Sequence, residues 1–393
     1  MKRRFSLGFV ITLMLLASAL TWAGMVLVIG FPFGANSNRS DYVRDFSALL
    51  MRIEEFFIGD YDEGEVAAAA MRAAVAALQD NWSFYMTAEE FARNLDNTYN
   101  RFEGIGVNVE SDDSGYIRVA SVFSGSAADT AGILPGDLFM EVDGESVNGI
   151  TSSQLREMLR RPIGETAVIT VERADGSVED IPVVFGFVFI DPISFELLGE
   201  RKGFVRINNF NNGSAQSFIN AVNELIELGA EGLVFDVRRN SGGWVTEMTE
   251  MLDFLLPEGE IFVMVDRQGN EAITLSGPEF IDLPMVVLVD RNSFSGAEYF
   301  AAMLSEYDFA SVVGEQTTGK SRVQRSVRLP GGGAVNISFA EYLTKNRVSL
   351  HDQGGFTPDY IVILSDDERA LFFLGELEFD YDPQLQKALQ LLS

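Results

Sequence analysis

Two short runs, Leu233-Val234-Phe235-Asp236-Val237 and Met285-Val286-Val287-Leu288-Val289, constrain this chain more than any other feature. Each is almost wholly apolar and is followed by a turn of small or polar residues and then by helical periodicity. A strand with one wet face alternates apolar and polar residues, whereas a strand covered on both faces does not. Apolar strands alternating with helices predict an α/β layer with a largely parallel sheet from Ile190 onward. Phe204 to Ile207 adds another strand. Between the strands, Phe218, Ile219, Val222, Leu225 and Ile226 form one helix face, with Ser214 as its cap and Gly229 as its end.

Upstream the texture differs. From Glu103 to about Val188 the chain reads as short strands and glycine turns, with strands at Tyr116–Val122, Ala167–Glu172 and Ile181–Val184 and a hairpin signal at Asp143-Gly144. One or two short helices among about five strands predict a compact, partly open barrel. Residues 35–100 read as a helical segment. Phe46, Leu49, Leu50, Ile53 and Phe57 share a face, and Thr87 to Glu90 has the pattern of a capping box. The expected boundaries are 1–34, 35–100, 101–188, 189–365 and a helical tail at 366–393. In the tail, Leu385, Leu389 and Leu392 pack either on the body or on a second copy, which leaves a homo-oligomer open.

Lys2, Arg3 and Arg4 precede an uncharged, mostly apolar run from Phe5 to Gly34. A cleaved signal peptide would end at Ala17-Ser18-Ala19 or Thr21-Trp22-Ala23. The whole run exceeds the roughly 20 residues of a bilayer-spanning helix, and Met25 to Ile29 extends it in favour of a signal anchor. The basic cluster keeps the short end in the cytoplasm. The reading is an extracytoplasmic protein, in the bacterial periplasm, tethered to the inner membrane by this segment.

Composition prunes the chemistry. With no cysteine and His351 as the single histidine, thiolate nucleophiles, cysteine-ligated metals and multi-histidine metal sites are excluded. No metal or cofactor is expected. Lys+Arg 29 against Asp+Glu 58 gives a net charge of −29, the wrong sign for a nucleic-acid partner. His351 itself sits in a polar, glycine-ended loop and reads as solvent-exposed.

Three segments could carry chemistry. Gly314 to Ser321 fits G-x-x-x-x-G-K-[ST], but the residues after Lys320 alternate like a strand as far as Pro330. A phosphate loop needs a helix there, so the nucleotide reading fails. Ser293-Phe294-Ser295-Gly296-Ala297-Glu298 lies between a buried strand and a helix, where a serine is either an ordinary N-cap or a nucleophile beside free amides. Asp236 to Gly243 ends a strand in paired glycines, either a tight turn or a set of amides facing a crevice.

Together the three resemble the C-terminal processing peptidases, or tail-specific proteases, which are serine proteases with a Ser-Lys dyad. Ser293 to Glu298 matches the serine motif with Ser295 at the nucleophile position. Gly314 to Gln324 matches the lysine motif, which implies Lys320 as general base and Gln324 as an orienting residue. The separation, 320 − 295 = 25 residues, fits the same pattern. The glycine turn implies that Gly242 or Gly243, with the amide of Gly296, forms the oxyanion hole. Departures are Phe294, bulkier than the usual alanine, Gly296 and Ser321.

The resemblance extends over most of the chain. Asp80 to Tyr85 looks like the helix-ending segment before the family's PDZ domain. Gly104-Ile105-Gly106-Val107 resembles the PDZ carboxylate-binding loop, and Ala131 to Asp137 resembles the PDZ core motif. Gly355-Phe356-Thr357-Pro358-Asp359 resembles G-x-x-P-D near the family's end. The implied architecture is multidomain, α/β and α+β: an N-terminal membrane anchor, a helical segment, a PDZ domain over 101–188 as the partly open β-barrel, and a serine protease core over 189–365. The implied function is an endopeptidase acting on protein or peptide substrates with free C-termini, whose tails bind Gly104, Ile105, Gly106 and Val107. Arg160, with Arg161 as its neighbour, matches an arginine that couples tail binding to the active site. The competing reading is a catalytically inactive exported PDZ scaffold, which keeps the glycine loop but needs neither Ser295 nor Lys320.

Overall fold

The structure, a computed structural model, describes residues 37–393. The anchor or signal peptide expected over 1–34 lies outside them. Among the described residues, no helix is long and apolar enough to cross a membrane. The described residues divide after Ala67 into two units. In the first, helix α1 (Ser37–Phe56) presents Phe46 and Leu49 exposed, with Leu50 and Ile53 half-buried. Helix α2 is Glu63–Ala76.

The second unit carries the rest. Strand β1 (Phe84–Met86) precedes α3 (Ala88–Thr98). The predicted capping box is present there, since the Glu90 amide donates to Thr87 Oγ1 at 3.2 Å and the Thr87 amide to Glu90 Oε2 at 2.8 Å. The segment before β1, expected to end a helix, is a turn followed by that strand. The strand forms because Phe84 to Met86 has a partner far along the chain at Asn336 to Ala334.

Next comes the small-strand region: β2 (Arg101–Gly104), β3 (Val107–Ser111), β4 (Ile117–Val122), α4 (Ala127–Ala131), β5 (Leu138–Val142), β6 (Glu145–Ser146), α5 (Ser152–Met158), β7 (Thr166–Glu172), β8 (Val178–Val184) and β9 (Gly186–Phe189). Its sheet runs β3-β4-β5-β7-β8, with β6 beside β5. This path does not close: β3 and β8 are its ends, and no closed barrel forms. The chain after β8 turns away instead, and β9 pairs antiparallel with β2 as a separate two-stranded stem. Ile117, Val119, Phe139, Ile169, Val171 and Val183 fill the core beneath the sheet.

The α/β layer follows: β10 (Ile193–Leu198), β11 (Lys202–Ile207), α6 (Ser214–Glu227), β12 (Gly232–Asp236), α7 (Val245–Leu255), β13 (Glu260–Asp266), β14 (Glu271–Leu275), β15 (Met285–Val289), α8 (Gly296–Glu306), β16 (Ala310–Gly314), β17 (Arg322–Arg328), β18 (Ala334–Leu343), β19 (Tyr360–Ile361), α9 (Asp366–Leu374) and α10 (Pro383–Leu391). One sheet has the order β10-β11-β12-β15-β16-β19, and from β11 onward its pairings are parallel. The two defining apolar runs, β12 and β15, are buried along their whole length at its centre.

Alternate residues serve opposite faces. Leu233, Phe235, Val287 and Val289 pack with α6, α7 and α8. Val234, Val286 and Leu288 pack with Leu385, Ala388 and Leu392 of α10. Each such side chain contributes about 1.5–3 kcal/mol by leaving water, so polar residues have no place in these strands. The tail helix thus packs on the body. The cap of α6 is Gly213 at φ 84°, not Ser214, which is the first helical residue.

Asp236 is the exception in its apolar run, and its partner explains it. Arg238, buried, contacts Asp236 at 2.8 Å, Asp382 at 2.7 Å and Gln384 Oε1 at 2.9 Å, and lies 4.3 Å from the Phe372 ring centre. One guanidinium therefore joins the end of β12 to α9 and to the start of α10. A second sheet places β17, β18, β13 and β14 side by side, with β1 against the first half of β18.

Candidate active site

Strand β15 ends at Val289, and the loop 290–294 that follows is held rigidly. Ser293, fully buried, donates from Oγ to the Val237 carbonyl at 2.8 Å and accepts from the Asp290 amide at 3.0 Å. The first serine of the motif is therefore structural: it ties the end of β15 to the end of β12. The second, Ser295, precedes α8 with φ 58° and ψ −124°. A positive φ outside glycine costs on the order of 1–3 kcal/mol and persists only where surroundings impose it. Here they do, and the hydroxyl lies at the positive end of an 11-residue helix.

Lys320 arrives by another route. After Gly314 the chain crosses a loop and enters β17, so a strand and not a helix follows Lys320. Glu298 unites the two motifs. Its fully buried carboxylate accepts from the Ser295 amide at 3.0 Å, the Lys320 amide at 2.6 Å, the Gly319 amide at 2.9 Å and Thr317 Oγ1 at 2.7 Å. Burial pushes this carboxyl upward while the four donors oppose it.

The Lys320 amine lies 4.8 Å from the Trp82 ring centre and 5.7 Å from that of Phe294. The two rings stand 5.7 Å apart, tilted by 30°. Trp82 is held there by its neighbour Ser83, which donates to Asp80 Oδ2 at 2.5 Å and accepts from the Ser338 amide at 3.0 Å. Burial brings the amine down to about 8, against the pull of Glu298 and then Asp80. Phe294, larger than an alanine, supplies part of this apolar wall.

Tyr342 completes the surroundings. Its buried phenol donates to the Lys320 carbonyl and lies within hydrogen-bonding reach of the Ser295 side chain. Burial raises the phenol far above its ordinary range, so it stays protonated. Gln324 stands on β17, where its amide nitrogen donates to the Arg322 carbonyl at 2.8 Å and to Ser338 Oγ at 3.2 Å. His351 is exposed, with Nδ1 3.3 Å from the Gly319 carbonyl. Its amide donates to Ser321 Oγ at 3.1 Å, which gives that buried hydroxyl a partner.

The glycine turn abuts the serine. A Cβ on Gly242 would lie 2.7 Å from the Gly296 nitrogen, and one on Gly243 (φ 159°) 2.3 Å from the Phe210 carbonyl carbon. Side chains cannot fit at either position. The Gly242 amide already donates to Asn240 Oδ1 at 2.8 Å, and Asn240 is anchored by donating to the Ile207 carbonyl at 2.7 Å. The amides of Gly243 and Gly296 make no such bond among the described residues, and a Cβ on Gly296 would come 3.7 Å from the Gly243 nitrogen.

A groove of about 560 Å³ lies in the small-strand region. Gly104, Ile105, Gly106 and Val107 line one side, with Leu155, Leu159 and Arg160 from α5 and its end on the other. Gly106 needs φ 87°, and a Cβ there would sit 2.3 Å from that of Ser126. Strand β3 is the sheet edge, paired with β4 alone. Arg160 is mostly exposed and stands 3.8 Å from Glu157, whereas Arg161 is paired with Asp143.

The motifs thus bring Ser295, Lys320, Gly242, Gly243 and Gly296 together, whereas the side chain of Gln324 bonds Arg322 and Ser338. The Gly104–Val107 loop and Arg160 form a separate groove. Sequence reasoning missed Glu298, Trp82, Tyr342 and Asn240 as parts of the site. Glu298 and Asn240 were visible inside quoted motifs, and Trp82 within the segment before β1. Nothing in the sequence marked Tyr342.

Comparison with known proteins agrees with this layout. Residues 201–362 match peptidase family S41, and residues 96–172 match the PDZ domain. The carboxy-terminal processing protease CtpA of Bacillus subtilis is 28% identical over 360 residues, covering 90% of this chain and 76% of that protein. The carboxyl-terminal-processing protease of Synechocystis is 26% identical over 331 residues, covering 82% and 76%. A solved structure assigned to the S41 proteases, from Bacteroides fragilis, has the same fold with a TM-score of 0.50 at 18% identity, covering 85% of this chain and 92% of that one. Fold and matches define a peptidase of family S41 that carries a PDZ domain. Within that class, the two matched domains and the carboxy-terminal processing relatives support the C-terminal processing peptidases as its family.

Proposed function

We propose that this peptidase is a serine endopeptidase that cleaves protein substrates near their C-termini. Ser295 attacks the scissile carbonyl, and neutral Lys320 takes its proton. The amides of Gly243 and Gly296 stabilise the oxyanion. Lys320 then passes the proton to the leaving amine, and a water activated by the same base hydrolyses the acyl-enzyme. One observation carries the reading: a strained serine at a helix N-terminus is clamped by a single buried carboxylate to the backbone of a dehydrated lysine.

The PDZ groove receives the substrate's end. Its terminal carboxylate meets the amides of the Gly104–Val107 loop, and its last residues add as a strand to the free edge of β3. Arg160, at the groove rim, offers the positive partner. In this reading residues 1–34 export the chain and tether it in the periplasm, where it meets its substrates.

The test uses a peptide with a free apolar C-terminus. Ser295→Ala and Lys320→Ala are each expected to abolish its cleavage while folded, and a serine-reactive probe is expected to label Ser295 by mass spectrometry. Wild-type turnover in either variant would overturn the dyad. Amidating the peptide's C-terminus is expected to reduce cleavage sharply, and unchanged cleavage would overturn tail recognition.

A further inference from the structure

The chain carries a net charge of −29, yet between Glu315 and Glu341 it has no acidic residue at all. In the same span stand Lys320, Arg322, Arg325 and Arg328. The three arginines lie on β17, which begins two residues after Lys320. Arginines elsewhere, such as Arg173, Arg347 and Arg369, each hold a carboxylate. Arg325 and Arg328 make no ion pair among the described residues. They stack instead on aromatic rings, Arg325 at 4.7 Å from the centre of Phe339 and Arg328 at 5.3 Å from that of Phe91. Arg322 also makes no ion pair among the described residues, although it lies opposite Glu341 in the β17–β18 ladder.

Strand β17 is also an edge. It pairs with β18 along its whole length and with no other strand among the described residues. Its outer edge therefore has no strand partner among the described residues, and residues 325–328 are exposed. Charges on a sheet edge commonly serve to block pairing with other chains, and either sign serves that purpose. A chain this rich in acid has placed only bases here, beside its candidate catalytic lysine. An acidic body repels acidic peptides over much of its surface, and such an island relieves that repulsion.

We propose that β17 is a docking strand for an acidic segment of the protein substrate. The segment adds to the free edge by main-chain hydrogen bonds, and its carboxylates meet Arg325 and Arg328. This rests on the peptidase function proposed above and adds a specificity element apart from the PDZ groove. Seven residues of strand reach about 20 Å, so the selected carboxylates lie within several residues of the cleaved bond.

The test compares two peptides that share a free apolar C-terminus, one with Glu at alternate positions flanking the cleaved bond and one with Gln. At low salt the wild type is expected to cleave the Glu peptide with kcat/KM about tenfold higher, the yield of two exposed charge pairs, and salt is expected to erode the difference. Arg325→Gln with Arg328→Gln is expected to bring the Glu peptide to parity through KM, with the Gln peptide unchanged. Equal wild-type rates on both peptides, or equal losses on both in the double variant, would overturn the docking strand. Equal rates together with arginine-dependent binding to phosphatidylglycerol vesicles would overturn it in favour of a lipid surface. If the wild type cleaves neither peptide, the peptidase reading falls and the docking strand with it.

Discussion

The Lys320 amide donates to Glu298 Oε1 at 2.6 Å, and the Ser295 amide donates to the same oxygen at 3.0 Å. Two loops from opposite ends of α8 and β16 are thereby fixed to one atom. The distance between candidate nucleophile and base is set by backbone, which is stiffer than either side chain.

Glu298→Ala orphans four donors, each costing about 1–3 kcal/mol when buried without a partner. Peptide hydrolysis is expected to fall at least about 100-fold, and thermal unfolding to move down by several degrees. Glu298→Gln keeps the volume but turns an NH2 toward an N–H donor, so it is expected to lose activity while unfolding closer to the wild type. Wild-type turnover in Glu298→Gln would show that the clamp does not control the site.

The pH profile follows from Lys320. Its amine is held at about 8 by burial, and only the neutral form accepts a proton. Because the protonated form dominates below that value, kcat/KM is expected to climb through a midpoint near 8 and level off above it. Lys320→Arg stays charged throughout and is expected to be inactive at every pH.

Trp82→Leu refines this expectation. Leucine keeps the wall apolar but removes the cation–π attraction that favours the ammonium, worth about 0.5–2 kcal/mol. The kcat/KM midpoint is therefore expected to move down by about half a unit or more. An upward shift would mean that water enters where the indole stood.

Arg238→Ala strips Asp236 and Asp382 of their shared buried partner. Breaking such a pair costs about 3–5 kcal/mol, read as a lower urea midpoint. Since Asn240 and the glycine turn follow directly, kcat is expected to fall at temperatures where the variant is still folded. A variant as stable as the wild type would exclude this role.

Much of this was legible in the sequence, because local patterns carried it. The runs in β12 and β15 announced a sheet covered on both faces, and the spacing of Ser295 and Lys320 survived into one site. What stayed hidden depends on long-range pairing. Trp82 reaches Lys320 only because Phe84 to Met86 adds to β18 at Asn336 to Ala334. Tyr342 reads as one more apolar residue of a strand, and its importance comes from what faces it. The expected partly open barrel is an open sheet whose ends do not meet: β9 finds its partner in β2, outside the small sheet, and no periodicity encodes that choice.

The stem formed by β2 and β9 bears on how such an enzyme came to be assembled. Gly104 lies opposite Gly186 in that ladder, so the chain leaves the stem and returns to it across a gap of about 5 Å. Everything between these glycines could be cut away and the ends rejoined by a hairpin turn. A domain mounted this way can be exchanged as a cassette while the fold of the peptidase core is left untouched.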